Sequence, residues 1–336
     1  MSEITAFVTG GTGFVGSNLV AGLNNIGIKP RLLHRQASSL QALKGLEYDA
    51  VIGDILDEPS TLSANMEGVD WLFHTAGISD YWRNGRETLF RINVDGTRNM
   101  LEASRLAGIG RFIFTSSLGS FGIPEDGQPI NESCIFNLRP EQLPYGYSKH
   151  LAELAVLEAF AGGLDVAILN PGIILGPRDF KQVSGSIVTE AARGLLRFNL
   201  PGALSFVSVE DVVAGHISAA QRGESGQKYI LSGPNLTIKE AGAIVCQVVG
   251  RPRPKIDIPS WVLPPAAIAI QVARAILGNR IPMDPNQVRL AGKTVFADSR
   301  KAEKTFDLSW TPFREMIERT YDWYVANGII KPANKS

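Results

Sequence analysis

The stretch "ITAFVTGGTGFVGSNLVAGLNNIG", residues 4–27, decides the fold. Its opening, "ITAFVTG", reads as a short apolar strand, and "SNLVAGLNNIG" (17–27) reads as a helix closing at Gly27. Between them stand Gly11-x-Gly13-x-x-Gly16 and, in another register, Gly10-x-x-Gly13-x-x-Gly16. Such a pattern alone is a weak signal. Here a strand precedes it and a helix follows, which is the context a dinucleotide-binding loop requires. Missing β-carbons let the backbone approach a pyrophosphate, whose charge then meets the helix N-terminus.

Working outward, apolar runs and amphipathic segments alternate. "PRLLHR" (30–35), "YDAVIGD" (48–54), "VDWLFHTAG" (69–77), "RFIFTSS" (111–117) and "DVAILNPG" (165–172) read as strands. The stretches 87–108 and 146–160 read as helices. Strands near five residues long, alternating with helices, predict an α/β fold: a doubly wound parallel sheet of the Rossmann type. "SFVSVEDVVAGHISAAQRG" (205–223) resembles one more strand and helix of that sheet, followed by "QKYILSG" (227–233). From Pro234 the chain turns to prolines and short helices, which predicts a smaller C-terminal substrate-binding lobe. The expected division is 1–178 plus 205–233 for the cofactor domain, and 179–204 plus 234–330 for the lobe.

The bulk numbers bound the partners. The 33 basic and 33 acidic side chains cancel, leaving no basic footprint for nucleic acid. Cys134 and Cys246 stand far apart without metal-ligand spacing, so a reducing cytoplasm is the expected setting and no metal is expected. The most apolar window is 258–277, where Pro264, Pro265, Gln271 and Arg274 make a poor membrane span. A buried lid or core helix is expected there, with a subunit interface or a membrane-surface contact as the alternatives. No integral membrane association is expected.

The second strand's end bears on which dinucleotide binds. An NAD site commonly places an acid about 20 residues after the loop, but that window holds Leu33, His34, Arg35 and Gln36. Arg35 could instead pair with a 2′-phosphate, which points to NADP with NAD as second choice.

"YGYSK", residues 145–149, offers two phenols to one lysine. Residues four apart share a helix face, whereas residues two apart do not. Tyr145 therefore faces Lys149, which is expected to lower the phenol's pKa. Tyr147 is expected to pack or line the pocket.

These segments together resemble the extended short-chain dehydrogenase/reductase family, over nearly the whole chain. The resemblance rests on the TGxxGxxG loop at Thr9–Gly16, "GDILD" around Asp54, "HTAG" (74–77), "NVDGTRN" from Asn93, "TSS" (115–117), the Tyr145/Lys149 pair and "NPGIILGPR". The dihydroflavonol-reductase-like and 3β-hydroxysteroid-dehydrogenase-like branch is similar, as are the hopanoid-associated sugar epimerases. The resemblance implies cofactor contacts at Gly10, Gly13, Phe14, Val15, Gly16, Asp54, Ile55, Thr75, Ala76, Gly77, Asn93, Lys149 and Pro171, with Arg35 at the 2′-phosphate. It implies a catalytic set of Ser117, Tyr145 and Lys149, with Ser116 and Ser120 as the alternatives to Ser117.

Candidate substrate contacts are Ser79, Tyr81, Trp82, Arg178 and Phe180, each with ordinary packing as the alternative. Family dehydratases carry an acidic pair where Leu118 and Gly119 stand, and no arginine lies between Arg197 and Asp211 to meet a diphosphate. The expected activity is an NADP-dependent carbonyl reductase or alcohol dehydrogenase acting on a small-to-medium, fairly apolar molecule. A sugar or nucleotide-sugar epimerase and a non-catalytic NADP-binding sensor are the alternatives. Homodimers are common in the family.

Overall fold

The computed structural model describes residues 4–80, 85–124, 127–278 and 284–331. Tyr81 and Trp82 lie outside the described residues.

Strand β1 (Ala6–Thr9) is buried along its whole length, as a strand covered on both faces must be. It pairs in parallel with β2 (Arg31–His34) on one side and β4 (Trp71–His74) on the other. With β3 (Asp49–Ile52), β5 (Arg111–Thr115), β6 (Val166–Pro171) and β10 (Gln227–Leu231) they form a seven-stranded parallel sheet, ordered β10-β6-β5-β4-β1-β2-β3. The order reverses direction at β1, so a crevice opens where β1 and β4 end. Register brings Thr9 beside His74, and Thr115 beside Leu169, so their C-terminal ends share one edge.

Two core layers cover the sheet. Leu19, Val20 and Leu23 of the Phe14–Asn25 helix pack on one face with Val212 and Val213 of the Val209–Arg222 helix. Met100, Leu101, Ala152 and Val156 pack on the other.

Three expectations are corrected. The strand after Gly202, β9 (Ala203–Ser208), does not extend the main sheet. It pairs in parallel with β7 (Ile173–Leu175) and antiparallel with β11 (Asn235–Thr237), making a small second sheet. Its apolar residues look the same in either sheet, so composition could not assign it. The Arg300–Phe306 helix is not confined to a C-terminal lobe either, because Ala302 and Phe306 join the main core and Phe306 packs 4.5 Å from Tyr229.

The third concerns the apolar window, where the Leu263–Leu277 helix is far from buried. Only Leu263 and Ala267 of its residues are inside.

The second sheet is backed by its own core of Leu175, Val188, Phe206, Val245, Met316 and Tyr324. Tyr324 donates its hydroxyl to buried Asp179 at 3.1 Å, tying the Phe313–Ala326 helix to the segment that leaves β7. Asp179 also accepts from the Val183 and Gly185 amides.

Candidate active site

The glycine loop is shaped as a close-approach cradle. Gly10 has φ +73°, and a Cβ there would lie 2.5 Å from the Ala76 nitrogen. At Gly16 a Cβ would meet the Gly10 carbonyl at 2.3 Å. The Gly13 amide donates to the Gly10 carbonyl at 2.9 Å, and the helix that opens at Phe14 and Val15 has no side-chain cap. Its first amides therefore remain for an anion. A dinucleotide's pyrophosphate fits this cradle.

Beside it, Thr75 donates to the Thr9 carbonyl at 2.7 Å, joining the ends of β1 and β4. Asn93 sits in a π-helical turn, Arg91–Asp95, inside an otherwise continuous helix, a kind of distortion frequent at functional sites. Its side chain grips the Ile78 amide and carbonyl, both at 2.9 Å, and donates to Ser148 at 3.0 Å. That clamp sets the backbone at Gly77 and carries Ser79 along. Ile55 is buried in the core beneath the β3 loop, where Asp54 accepts from the Leu56 amide. Arg35 is exposed, with its Nε 4.0 Å from the Asp54 carboxylate.

Tyr145 and Lys149 ride the Pro144–Ala161 helix, whose N-terminal proline is preset for a first turn. Lys149 is only 4% exposed and donates to the Thr115 carbonyl at 2.9 Å, with its ammonium 4.9 Å from the Phe114 ring centre. Burial lowers its pKa to about 8, against the opposing charge of Glu153. Tyr145 meets Ser117. Burial raises the phenol's pKa, and the Ser117 hydrogen bond opposes that rise. The expectation that Lys149 lowers it is corrected: desolvation dominates, and the ammonium is engaged with Thr115.

Tyr147 packs among Phe90, Phe136 and His150, with ring centres 5.6–6.3 Å away.

Glu153, absent from the sequence reading, decides which serine faces Tyr145. It is fully buried, and its Oε1 accepts from Ser116 and Ser120 at 2.5 Å each and from Asn170 at 2.6 Å. Lys228 pairs with its Oε2 at 2.5 Å. The two alternative serines are thus occupied from below. Ser117 instead accepts from the Gly119 amide at 3.1 Å and keeps its hydroxyl toward Tyr145. Glu153 lies four residues beyond Lys149, on the face Tyr145 begins, and that spacing could have exposed it.

Two substrate candidates have partners within the protein. Arg178, at φ +68°, donates to the Ala42 carbonyl at 2.6 Å, which ties it to the segment after β2. Phe180 packs edge-on against Trp323 at 4.7 Å. Pro171 closes β6 opposite Leu231 and is buried at the sheet edge.

Two buried histidines brace this edge. His74 bonds Thr9 and Thr97, and His216 bonds Thr115 and the Val212 carbonyl. Burial lowers their pKa values to about 3 and about 4. Both histidines are neutral when folded, whereas the unfolded chain takes up protons below about pH 6.5. Stability should therefore fall with acidification between about pH 6.5 and 4, by about 1.4 kcal/mol per pH unit for each histidine. Urea unfolding at pH 7 and pH 5 checks this. His74→Gln should roughly halve the slope, and an unchanged slope would count against the assignment.

The order-reversing parallel sheet, the glycine cradle and the Tyr–Lys helix define an NAD(P)-dependent enzyme of the extended short-chain dehydrogenase/reductase type. Comparison with known proteins makes the class specific. The chain belongs to the NAD dependent epimerase/dehydratase family, whose profile matches residues 6–232.

It is 35% identical over 332 residues to the "Putative dihydroflavonol 4-reductase" of Synechocystis sp., covering 97% of this chain and 96% of that one. It is 33% identical over 330 residues to the sterol demethylase protein B of Methylococcus capsulatus, covering 97% and 100%. The crystal structure of gox2253 superposes with a TM-score of 0.86 at 32% identity, covering 98% of this chain and all of that one (100%).

Proposed function

We propose that this protein is an NADP-dependent oxidoreductase acting on a carbonyl or secondary alcohol of a small-to-medium, fairly apolar substrate. The observation that carries the reading is the Ser117–Tyr145 contact above Lys149, with the neighbouring serines drawn off by Glu153. The names of two relatives, a reductase and a sterol demethylase protein, favour redox chemistry on an apolar molecule.

Gly10, Gly13, Phe14, Val15 and Gly16 would hold the pyrophosphate, and Asp54 with Ile55 the adenine side. Thr75, Ala76, Gly77, Asn93, Lys149 and Pro171 would line the path to the nicotinamide. When bound, the nicotinamide supplies hydride in reduction and accepts it in oxidation. Tyr145 holds the proton that passes to the substrate oxygen, and the burial that raises its pKa keeps it protonated at neutral pH. Ser117, oriented by the Gly119 amide, supplies a second hydrogen bond to the developing charge.

Arg35 supports NADP over NAD. Its guanidinium is exposed at the end of β2, beside the Asp54 carboxylate. Arg35→Ala should lower the preference for NADPH over NADH by roughly 10–100-fold, the worth of a charged hydrogen bond of about 1.5–3 kcal/mol. Binding titrations with both nucleotides measure it, and an unchanged ratio would remove Arg35 from the site.

The nucleotide released on denaturing the purified protein tests the reaction class. An empty site that takes up NADPH, followed by its oxidation with added ketones or aldehydes, supports a reductase. A near-stoichiometric yield of NAD would favour an epimerase, which reuses one cofactor in every cycle.

A further inference from the structure

The helix Leu263–Leu277 turns large apolar side chains to water. At 100° per residue, Leu263, Ala267 and half-buried Arg274 fall on the side that meets the protein. Leu263 and Ala267 are buried there, and Gln271 accepts from Arg289 at 2.8 Å. The opposite side carries Ile268, Val272 and Ile276 in line with Trp261 just before the helix. These four are 57%, 55%, 76% and 74% exposed. Water thus meets an apolar stripe on the side of the helix turned away from the protein. By length and composition, Ser260–Leu277 could also enter a bilayer.

A basic cluster precedes the stripe in the chain. Strand β12 (Ile256–Asp257) pairs with β8 (Phe198–Asn199), setting exposed Phe198 and Ile256 side by side just before the helix. Arg197 and Lys255 immediately precede those two residues, and exposed Arg253 stands two residues before Lys255. From Ala241 to Gly278 the only acid is Asp257, which Lys239 already holds at 2.7 Å. Arg197, Arg253 and Lys255 have no carboxylate partner among the described residues.

We propose that this face is a peripheral docking surface for an anionic lipid bilayer. The helix would lie in the plane of the interface, its apolar side among the acyl chains, Trp261 at the headgroup level and the basic cluster on lipid phosphates. A second copy of the chain fits less well. A 15-residue helix is about 22 Å long and about 10 Å across, so one side offers on the order of 200–300 Å². A stable dimer buries about 800 Å² per partner. The basic clusters of two copies would also repel each other.

The test is co-sedimentation of the full chain with phosphatidylcholine vesicles, and with vesicles containing about one third phosphatidylglycerol. Binding to the anionic vesicles, weak binding to the neutral ones and release in about 0.5 M NaCl are expected. Ile268→Glu/Ile276→Glu should lower the partition coefficient at least about tenfold, because two charges would enter the acyl region. Arg253→Glu/Lys255→Glu should weaken binding to the anionic vesicles specifically.

Unchanged NADPH binding and melting temperature show that these variants fold. Failure to sediment with either vesicle overturns the proposal, as does binding indifferent to Ile268→Glu/Ile276→Glu. A dimer in sedimentation velocity that this same variant dissolves would also overturn it, giving the face to a second copy.

Discussion

Tyr145→Phe is expected to lower turnover by about 10²–10⁴-fold while leaving NADPH affinity unchanged. The substitution removes one oxygen, and with it the group that would carry the proton to the substrate. About 3–5 kcal/mol of barrier is at stake. The phenol takes no part in the glycine cradle, in the Asn93 clamp or in the Lys149–Thr115 bond, so the cofactor's supports survive. Steady-state kinetics with a reducible ketone, together with NADPH fluorescence titration, separate the two effects. Turnover that persists in the variant would remove Tyr145 from the chemistry. Turnover and NADPH binding lost together would make it a structural residue instead.

The second large effect is expected at Glu153. Its carboxylate is fully buried, receives three donors on one oxygen and pairs with Lys228 on the other. Glu153→Gln leaves the Lys228 ammonium without its counter-charge and turns one acceptor into a donor. Breaking a buried pair in this way costs about 3–5 kcal/mol, readable as a drop in urea midpoint.

Glu153 is also a positioning residue. Asn170, which it holds, donates to the Ser117 carbonyl at 3.3 Å, and the Ser120 hydroxyl, whose single proton is shared between the carboxylate and that carbonyl, lies 2.8 Å from it, so losing the carboxylate loosens Ser117. The carboxylate's charge also raises the Lys149 pKa against burial. Without it, the Lys149 proton should leave at lower pH. The alkaline fall of kcat/KM, expected near pH 8 in the parent, should therefore move to lower pH in Glu153→Gln. A variant that is merely less stable would keep the parent's alkaline limb, and that result would confine Glu153 to a packing role. Glu153→Gln/Lys228→Met removes the stranded charge and should recover part of the stability without restoring the pH profile.

Local pattern carried much of this protein. A strand, three spaced glycines and a helix fall within two dozen residues, so their geometry depends little on the rest of the chain. Tyr145 and Lys149 share a face because helix periodicity alone puts them there. The inner strands β1, β4, β5 and β6 were legible for the same reason, since a parallel strand buried on both sides is apolar along most of its length.

Tertiary structure decided what depends on partners distant in sequence. Ser116, Ser117 and Ser120 are alike as letters. Glu153 and Asn170, reached only after the chain returns through a helix and a strand, take up two of them and leave Ser117 toward Tyr145. Arg178, a substrate candidate by sequence, gains a partner in the Ala42 carbonyl that lies 136 residues away in the chain. Strand β9 could have joined either sheet, and pairing with β7 and β11 settled it.

The apolar segment near the C-terminus shows the limit most plainly. Its composition establishes an apolar helix, and the usual inference turns such a helix inward. Which side meets the protein depends on what packs there. Leu263 and Ala267 supply the contact with the protein, and Ile268, Val272 and Ile276 are left facing out.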